Sequence, residues 1–487
     1  MNVGEKLALM AKEQPRKVVL VDGDIRLDFA ELNRIANAVA KGLAQEGVRP
    51  GDVVALMLGN RAEFAYLYYG AMKLGAIVAP IDPRMAAPEI EKLLMLTETK
   101  KTFVDRKERL AELPHAVLVT GAEFHGRYLA SGPREELSCP LDEDDVALYL
   151  HTSGTTGIPK VVELCYRHLD WFPQVMAEVW GTNETSILGM TLPMSHISGP
   201  IALNALVTHG SRLVIIRDVS PSSIFSAISK EKITVTWAVP PIFSAMARFA
   251  RGSEDLSSLR FVAMMGTGVP LATMELFKKT FPGVPVLQGY GLTETSPFLT
   301  GLPVEFWQSK MGSIGRAVPR AEIVVMGEDG EILPPGQPGE IAARGPMVMK
   351  GYLKNPEATR ARFRDGWFLT GDAGKMDEEG FFYHLGRNDD LIVTEKGLKL
   401  YPGEVENTLL SHPAVADAAV AMREEMPGGG KVLKAFVVLA SNQEASEADL
   451  RVFCQKFLAP FKVPRVFAFR DALPKSPTHK TVRAALA

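Results

Sequence analysis

Cysteine is scarce in this chain. Cys139, Cys165 and Cys454 are the only three among 487 residues. Their odd number and wide separation exclude a disulfide framework and a cysteine-paired metal site, and point to a reducing cytoplasm. No run approaches the ~18 consecutive apolar residues of a membrane span. The segment Met1–Lys12 is amphipathic, broken by charges, and lacks the apolar centre of a secretory signal. There is no basic block, and the net charge is −3, so nucleic acid is not an expected partner. Internal repeats and low-complexity tracts are also missing. What remains is 46% apolar and 23% charged, with 42 Gly and 33 Pro, the make-up of a loop-rich globular α/β protein. The length exceeds one ordinary core and predicts about three units.

Hydrophobic periodicity predicts alternating helices and strands over the first three hundred residues. Helices are expected near 28–47, 61–74 and 87–97, and strands near 18–21, 52–58, 76–80, 145–150, 186–192, 213–216, 235–238 and 261–264. Such alternation predicts layers of helix on a largely parallel sheet. Beyond about residue 310, Gly and Pro crowd 327–339 and short strands follow turns, the texture of a small β unit. From about 387 the pattern changes again to a compact α+β segment.

Five stretches carry chemistry. In Leu150-His151-Thr152-Ser153-Gly154-Thr155-Thr156-Gly157-Ile158-Pro159-Lys160, a strand runs into a hydroxyl- and glycine-rich turn closed by a lysine. Backbone N–H groups, hydroxyls and a point charge together suggest a phosphate cradle; a flexible surface loop of common Ser/Gly/Thr composition is the alternative. It is not a Walker A loop, because Val161 follows the lysine and Gly157 is separated from it. Gln288-Gly289-Tyr290-Gly291-Leu292-Thr293-Glu294 ends a strand in Gly-Tyr-Gly, expected to admit a planar ligand. Thr293 and Glu294 then set a hydroxyl beside a carboxylate, which suits a phosphate bridged to Mg²⁺; a capped helix start accounts for that pair equally well. Thr370-Gly371-Asp372-Ala373-Gly374 puts an Asp between glycines, a pattern more often a turn than a ribose-binding carboxylate. Gly386-Arg387-Asn388-Asp389-Asp390 marks the last change of texture, and Pro474–Lys480 is a polar loop near the C-terminus.

In their order, these five stretches resemble the landmarks of the adenylate-forming superfamily: acyl- and aryl-CoA synthetases, luciferases and peptide-synthetase adenylation domains. The resemblance spans essentially the whole chain. It implies an α/β fold with a large N-terminal domain, 1–388, of two α/β subdomains plus a β-barrel. A small mobile α+β domain, 389–487, would follow a hinge near 386–390. It also implies activation of a carboxylic acid by MgATP to an acyl-adenylate, release of pyrophosphate and acyl transfer to coenzyme A, by a monomer or homodimer.

The same resemblance distributes roles. Thr152, Ser153, Gly154, Thr155, Thr156, Gly157 and Lys160 would hold the β- and γ-phosphates. Thr293 would meet the α-phosphate and Glu294 the Mg²⁺. Gly268, Val269 and Pro270 would lie against adenine with Gln288, Gly289, Tyr290 and Gly291. Asp372, helped by Arg387, would take the ribose hydroxyls. Lys480 would reach in for adenylation, Asp389 would be the pivot, and Gly397 would face coenzyme A. His196 would gate an acyl pocket of Ile197, Val239, Pro240, Gly266, Thr267 and Gly291.

The chain departs from the pattern at Val161 and His479, which replace usual glycines, and at 393–404, which lacks paired glycines. No Asp stands near His196 to bind a substrate amine, and no Arg or Lys occurs from 193 to 209 to bind a second carboxylate. With apolar Ile201, Ala202, Leu203 and Ile242 nearby, the expected acid is a hydrophobic monocarboxylate, aryl or short-to-medium acyl. The alternatives are an adenylation-only enzyme that loads a carrier protein, and a nucleotide-binding protein without activity.

Overall fold

The computed structural model describes residues 2–113, 115–130, 136–137, 139–152, 160–250, 252, 254–265, 271–393, 399–424, 431–440, 442–474 and 481–486. Two large sheets dominate it. The first has seven strands, with Ile77–Pro80, Val53–Met57, Thr99–Val104, Val117–Leu118 and Val146–Thr152 parallel. The second has nine, with a parallel core of Val286–Tyr290, Phe261–Met264, Val235–Ala238, Ile187–Met190, Arg212–Ile215 and Val18–Asp22.

Side-chain alternation explains how these sheets stack. On Val53–Met57, Val54 and Leu56 enter the apolar cluster shared by both sheets. Val53, Ala55 and Met57 point the other way, onto Ile90 and Leu93 of the helix Ala87–Leu96. The helices Phe29–Gln45 and Ala62–Leu74 fill the shared layer. Ala62–Leu74 is buried on nearly all sides and accordingly mostly apolar, and its buried Lys73 pairs with Glu136. Two of its three tyrosines are fully buried and donate their hydroxyls, Tyr68 to Asn204 Oδ1 (3.1 Å) and Tyr69 to the Leu203 carbonyl (2.6 Å). On the outer face of the nine-stranded sheet, a second cluster gathers Ile224, Phe243 and Phe277 from three further helices.

After residue 320 comes a five-stranded antiparallel unit of Glu322–Met326, Gly339–Arg344, Phe363–Arg364, Trp367–Met376 and Phe382–Arg387. The C-terminal segment sets Val415–Glu424, Lys431–Leu439 and Val466–Phe469 against the helices Pro402–Leu410 and Glu447–Phe457. It has its own apolar core, in which Val405, Leu409, Leu450 and Cys454 are buried.

Two stretches differ from their sequence-based expectation. The strand after the phosphate loop, Lys160–Cys165, pairs antiparallel with Val146–Thr152, so this loop bridges a hairpin. Asp372 lies inside the ten-residue strand Trp367–Met376 rather than in a turn. Gly371, at φ 75°, takes the left-handed conformation there, and the strand's pairing shifts register on both sides. The Gly-Asp-Ala-Gly composition reads as a turn because such an irregularity uses turn residues.

Candidate active site

Residues 153–159, 266–270, 394–398 and 475–480 lie outside the described residues. Ser153, Gly154, Thr155, Thr156, Gly157, Gly266, Thr267, Gly268, Val269, Pro270, Gly397 and Lys480 therefore receive no structural account. The remaining expected residues fall into three groups.

The first group forms at the base of the phosphate loop. Thr152 and Lys160 face each other across the hairpin. Val161 sits in the next pair, opposite His151, 2% exposed within an apolar cluster, and its carbonyl accepts from the Leu353 N–H at 2.8 Å. A β-branched residue suits that buried strand position, which accounts for the missing glycine. The same hairpin pairs with Gly351–Tyr352, setting Tyr352 opposite Val162. Lys160 Nζ lies 5.1 Å from the Tyr352 ring centroid. The Tyr352 hydroxyl donates to Glu294 Oε1 at 2.9 Å. Burial and the Glu294 charge push that hydroxyl up to about 12, so it remains a donor. Thr293 and Glu294 occupy a 3₁₀ turn, and Glu294 is only 6% exposed. Lys160 and Glu294, 134 positions apart in the chain, thus meet through one tyrosine.

The second group surrounds Asp372. Its Oδ2 accepts from the Tyr290 hydroxyl at 2.8 Å, and its Oδ1 from Arg387 Nη1 at 3.0 Å. His384 Nε2 is 3.4 Å from the same Oδ1. Burial alone would raise this carboxyl, but His384, Arg387 and Tyr290 hold it below the ordinary carboxylate range. Tyr290 is pushed the other way, by burial and then by the Asp372 charge.

The neighbouring glycines are closely packed. A Cβ on Gly291 would stand 2.1 Å from the Pro297 carbonyl oxygen, and one on Gly289 would stand 2.9 Å from Phe298 and 3.0 Å from Trp180. Internal packing by itself demands both glycines. Gln288 is buried too, its amide nitrogen 3.1 Å from Met274 Sδ.

The third group surrounds His196, in the turn before the helix Ser198–His209. Its Nε2 is 3.7 Å from Asp82 Oδ2, and its ring is 6.4 Å from that of His151. Asp82 is buried, and Arg84 binds both its oxygens at 2.6 to 3.2 Å. Burial opposes that charge, but His196 and Arg84 hold the carboxyl far below its usual range. Burial pushes His151 down to about 4, which keeps it neutral. Ile197 packs on the main core, and Val239 is half-buried at the start of Pro240–Phe249. Asp389 is exposed in a 3₁₀ turn directly after the strand that carries Arg387.

Tyr352, Arg362, His384, Asp82 and His151 were not expected. His151 adjoins the phosphate loop in the sequence; the others carry no spacing signal, because sheet register brings in Tyr352 and His384, while Asp82 follows the strand Ile77–Pro80 and Arg362, beside Tyr352, precedes Phe363–Arg364.

The buried, hydroxyl-bonded Glu294 fits the oxygen-donor chemistry of Mg²⁺. Among the described residues no three His, Cys, Asp or Glu side chains converge as a protein-only cage. Binding through one carboxylate and substrate phosphates requires no such cage.

A hairpin-borne lysine meeting a buried glutamate, beside a tyrosine-bonded aspartate, defines a nucleotide-binding enzyme. The chain belongs to the AMP-binding enzyme family: that family's pattern matches residues 7–353, and the pattern of its C-terminal domain matches 404–480. The chain is 32% identical to long-chain-fatty-acid–CoA ligase FadD13 of Mycobacterium tuberculosis, covering 100% of this chain and 98% of that protein. It is 32% identical to 2-succinylbenzoate–CoA ligase of Bacillus subtilis, covering 98% and 96%. Among solved structures it resembles o-succinylbenzoate CoA synthetase (MenE) from Bacillus subtilis in complex with the acyl-adenylate OSB-AMP. That match has a TM-score of 0.89, 32% identity, and 99% and 97% coverage. The relatives share the large N-terminal and small C-terminal α/β architecture. Among the described residues no helix is long and apolar enough to cross a membrane.

Proposed function

We propose that this enzyme is an AMP-forming acid–thiol ligase. It activates a carboxylic acid with MgATP to an acyl-adenylate, releases pyrophosphate, and passes the acyl group to coenzyme A. The carrying observation is the paired arrangement of Lys160–Tyr352–Glu294 and Tyr290–Asp372–Arg387. It offers a cation, an Mg²⁺-type carboxylate and a fixed acceptor for a diol within one site. The relatives named as CoA ligases support this reading over its length. With three free cysteines and no expected span, we place it in the cytoplasm.

In the first step an acid oxygen attacks the α-phosphorus, and the bond to the β-phosphate bridging oxygen breaks. Charge grows on the leaving pyrophosphate and on the α-phosphate oxygens, and donors already in place lower that barrier. Lys160 with Thr152, Ser153, Thr155 and Thr156 serves the leaving group; Thr293 and Lys480 serve the α-phosphate. Bound at Glu294, Mg²⁺ supplies charge neutralisation. Asp372 and Arg387 fix the ribose, while Gly268, Val269 and Pro270 lie against adenine. In the second step the coenzyme A sulfur attacks the acyl carbon, the bond to AMP breaks, and the thiol proton is lost. Gly397 faces the incoming thiol.

The two steps need different surfaces, and the region around Asp389 supports a pivot there. Arg387 is fastened to Asp372, whereas Asp390 is fastened to the C-terminal segment through Arg483 (2.6 Å), which also binds Glu406 (2.8 Å). A rotation that preserves both fastenings has only Asn388 and Asp389 in which to occur, dividing the chain into 1–388 and 389–487.

We place His196, Ile197 and Val239 on the acyl side, where Ile197 and Val239 offer apolar contact. A hydrophobic monocarboxylate is the acid we assign. Incubating the enzyme with MgATP, coenzyme A and a panel of fatty, cinnamic, benzoic and dicarboxylic acids should give AMP and a thioester. Adenylate without thioester would favour a carrier-loading enzyme. No ATP–pyrophosphate exchange with any acid would overturn the reading.

A further inference from the structure

We propose that Arg362, which stands across Gly371 from the ribose-side Arg387, is an additional phosphate-binding residue that holds the pyrophosphate portion of the nucleotide. This rests on the nucleotide reading above. Arg362 immediately precedes Phe363–Arg364, and its carbonyl accepts from the Leu369 N–H at 2.7 Å, which fixes its backbone against Trp367–Met376. Its side chain runs along that strand to Gly371. The point where a Gly371 Cβ would stand is 2.9 Å from Arg362 Nη1 and 2.9 Å from Arg387 Nη2. The two guanidinium groups therefore approach to less than about 6 Å over a glycine that carries no side chain between them.

Asp372 pairs with Arg387, and Glu294 and Glu340 lie beside Arg362, so what is unmet at this point is donor capacity rather than net charge. Arg387 commits Nη1 to Asp372 and the Thr370 carbonyl. Arg362 has a buried Nε with no partner among the described residues. The groups that face Arg362 are the Tyr352 hydroxyl, Glu294 and Glu340. Glu340 is already held by the Gly371 N–H at 2.7 Å and Glu294 by Tyr352. Arg362 thus stands between two cations, sharing Tyr352 with Lys160 on one side and Gly371 with Arg387 on the other. A polyphosphate matches that geometry and charge, with a guanidinium fork suited to phosphate oxygens. The bland alternative is that Arg362 merely neutralises Glu294 and Glu340.

The test is calorimetric binding of Mg-pyrophosphate and of AMP to the full chain, for wild type, Arg362→Ala and Arg362→Lys. Losing one charge-assisted contact should weaken pyrophosphate binding about tenfold in Arg362→Ala and leave AMP within about twofold. Arg362→Lys should recover part of the loss, with melting temperatures close to wild type. Unchanged pyrophosphate binding in Arg362→Ala overturns the assignment to Arg362 alone. So does an equal weakening of both ligands accompanied by a lowered melting temperature. If wild type binds neither ligand, the nucleotide reading itself falls, and this proposal with it.

Discussion

The Tyr290 hydroxyl donates to Asp372 Oδ2 at 2.8 Å, and this bond ties the nine-stranded sheet to the five-stranded unit. It also orients a buried carboxylate whose other oxygen is taken by Arg387 and approached by His384. The carboxylate we propose for the ribose is therefore set before any ligand arrives, which would reduce the ordering cost of binding.

Asp372→Asn removes the charge and retains the shape. AMP affinity, measured by calorimetry, should fall about tenfold or more. Stability should change with a definite sign. The folded-state pKa of Asp372 is depressed, so its contribution is complete above the ordinary carboxylate value near 3.9 and is lost as pH falls through the folded value. Denaturant midpoints from about pH 5 downward should drop more steeply in wild type than in Asp372→Asn. Parallel curves would show that Asp372 is not stabilised by its neighbours.

Glu294→Gln keeps the acceptor for Tyr352 and removes the metal-binding charge. ATP–pyrophosphate exchange should fall by about a hundredfold, and the Mg²⁺ concentration for half-maximal exchange should rise. Tyr352→Phe leaves the carboxylate in place and should cost far less. Equal losses in the two variants would place the importance in the hydrogen bond rather than in the metal.

Two buried histidines make a separate prediction about acid. His151 and His168 are both held at about 4, mainly by burial, so each is neutral in the folded chain. The unfolded chain takes up a proton near pH 6.5, whereas the folded chain does so only near 4. Stability is therefore full above about 6.5 and declines as pH falls toward 4, by up to roughly 3 kcal/mol per residue. The pH slope of urea midpoints in that window should flatten in His168→Gln. A slope identical to wild type would remove His168 from the account.

The fold was legible where the chain repeats a period. The alternation of helix and strand through residue 264 and the separate C-terminal segment both emerge from hydrophobic spacing alone. The site was legible only as separate scraps, because Lys160, Glu294, Asp372 and Arg387 each sit in short motifs with bland alternatives. Their meeting depends on sheet register, which no local pattern encodes: Tyr352 joins Lys160 to Glu294 only because Gly351–Tyr352 pairs with the hairpin. Gly289 and Gly291 show a related effect. A glycine signals close approach, but Trp180, Pro297 and Phe298, which do the approaching, are named only by the folded chain.

The pivot carries the last prediction. Asn388–Asp390 forms a 3₁₀ turn between Arg387, tied to Asp372, and Asp390, tied to Arg483. Proline at 389 fixes φ at about −65° and restricts residue 388 as well. Asp389→Pro should lock one arrangement, sparing adenylation while suppressing thioester formation about tenfold or more. Because Asp389 is exposed, Asp389→Ala should behave nearly as wild type and separate backbone locking from loss of the carboxylate. Lys480→Ala should do the reverse of Asp389→Pro, suppressing adenylation far more than thioester formation from supplied acyl-adenylate. Single-turnover assays of each half-reaction decide the matter. Normal thioester formation in Asp389→Pro, or equal loss of both halves in Lys480→Ala, would refute the division of labour between the two steps.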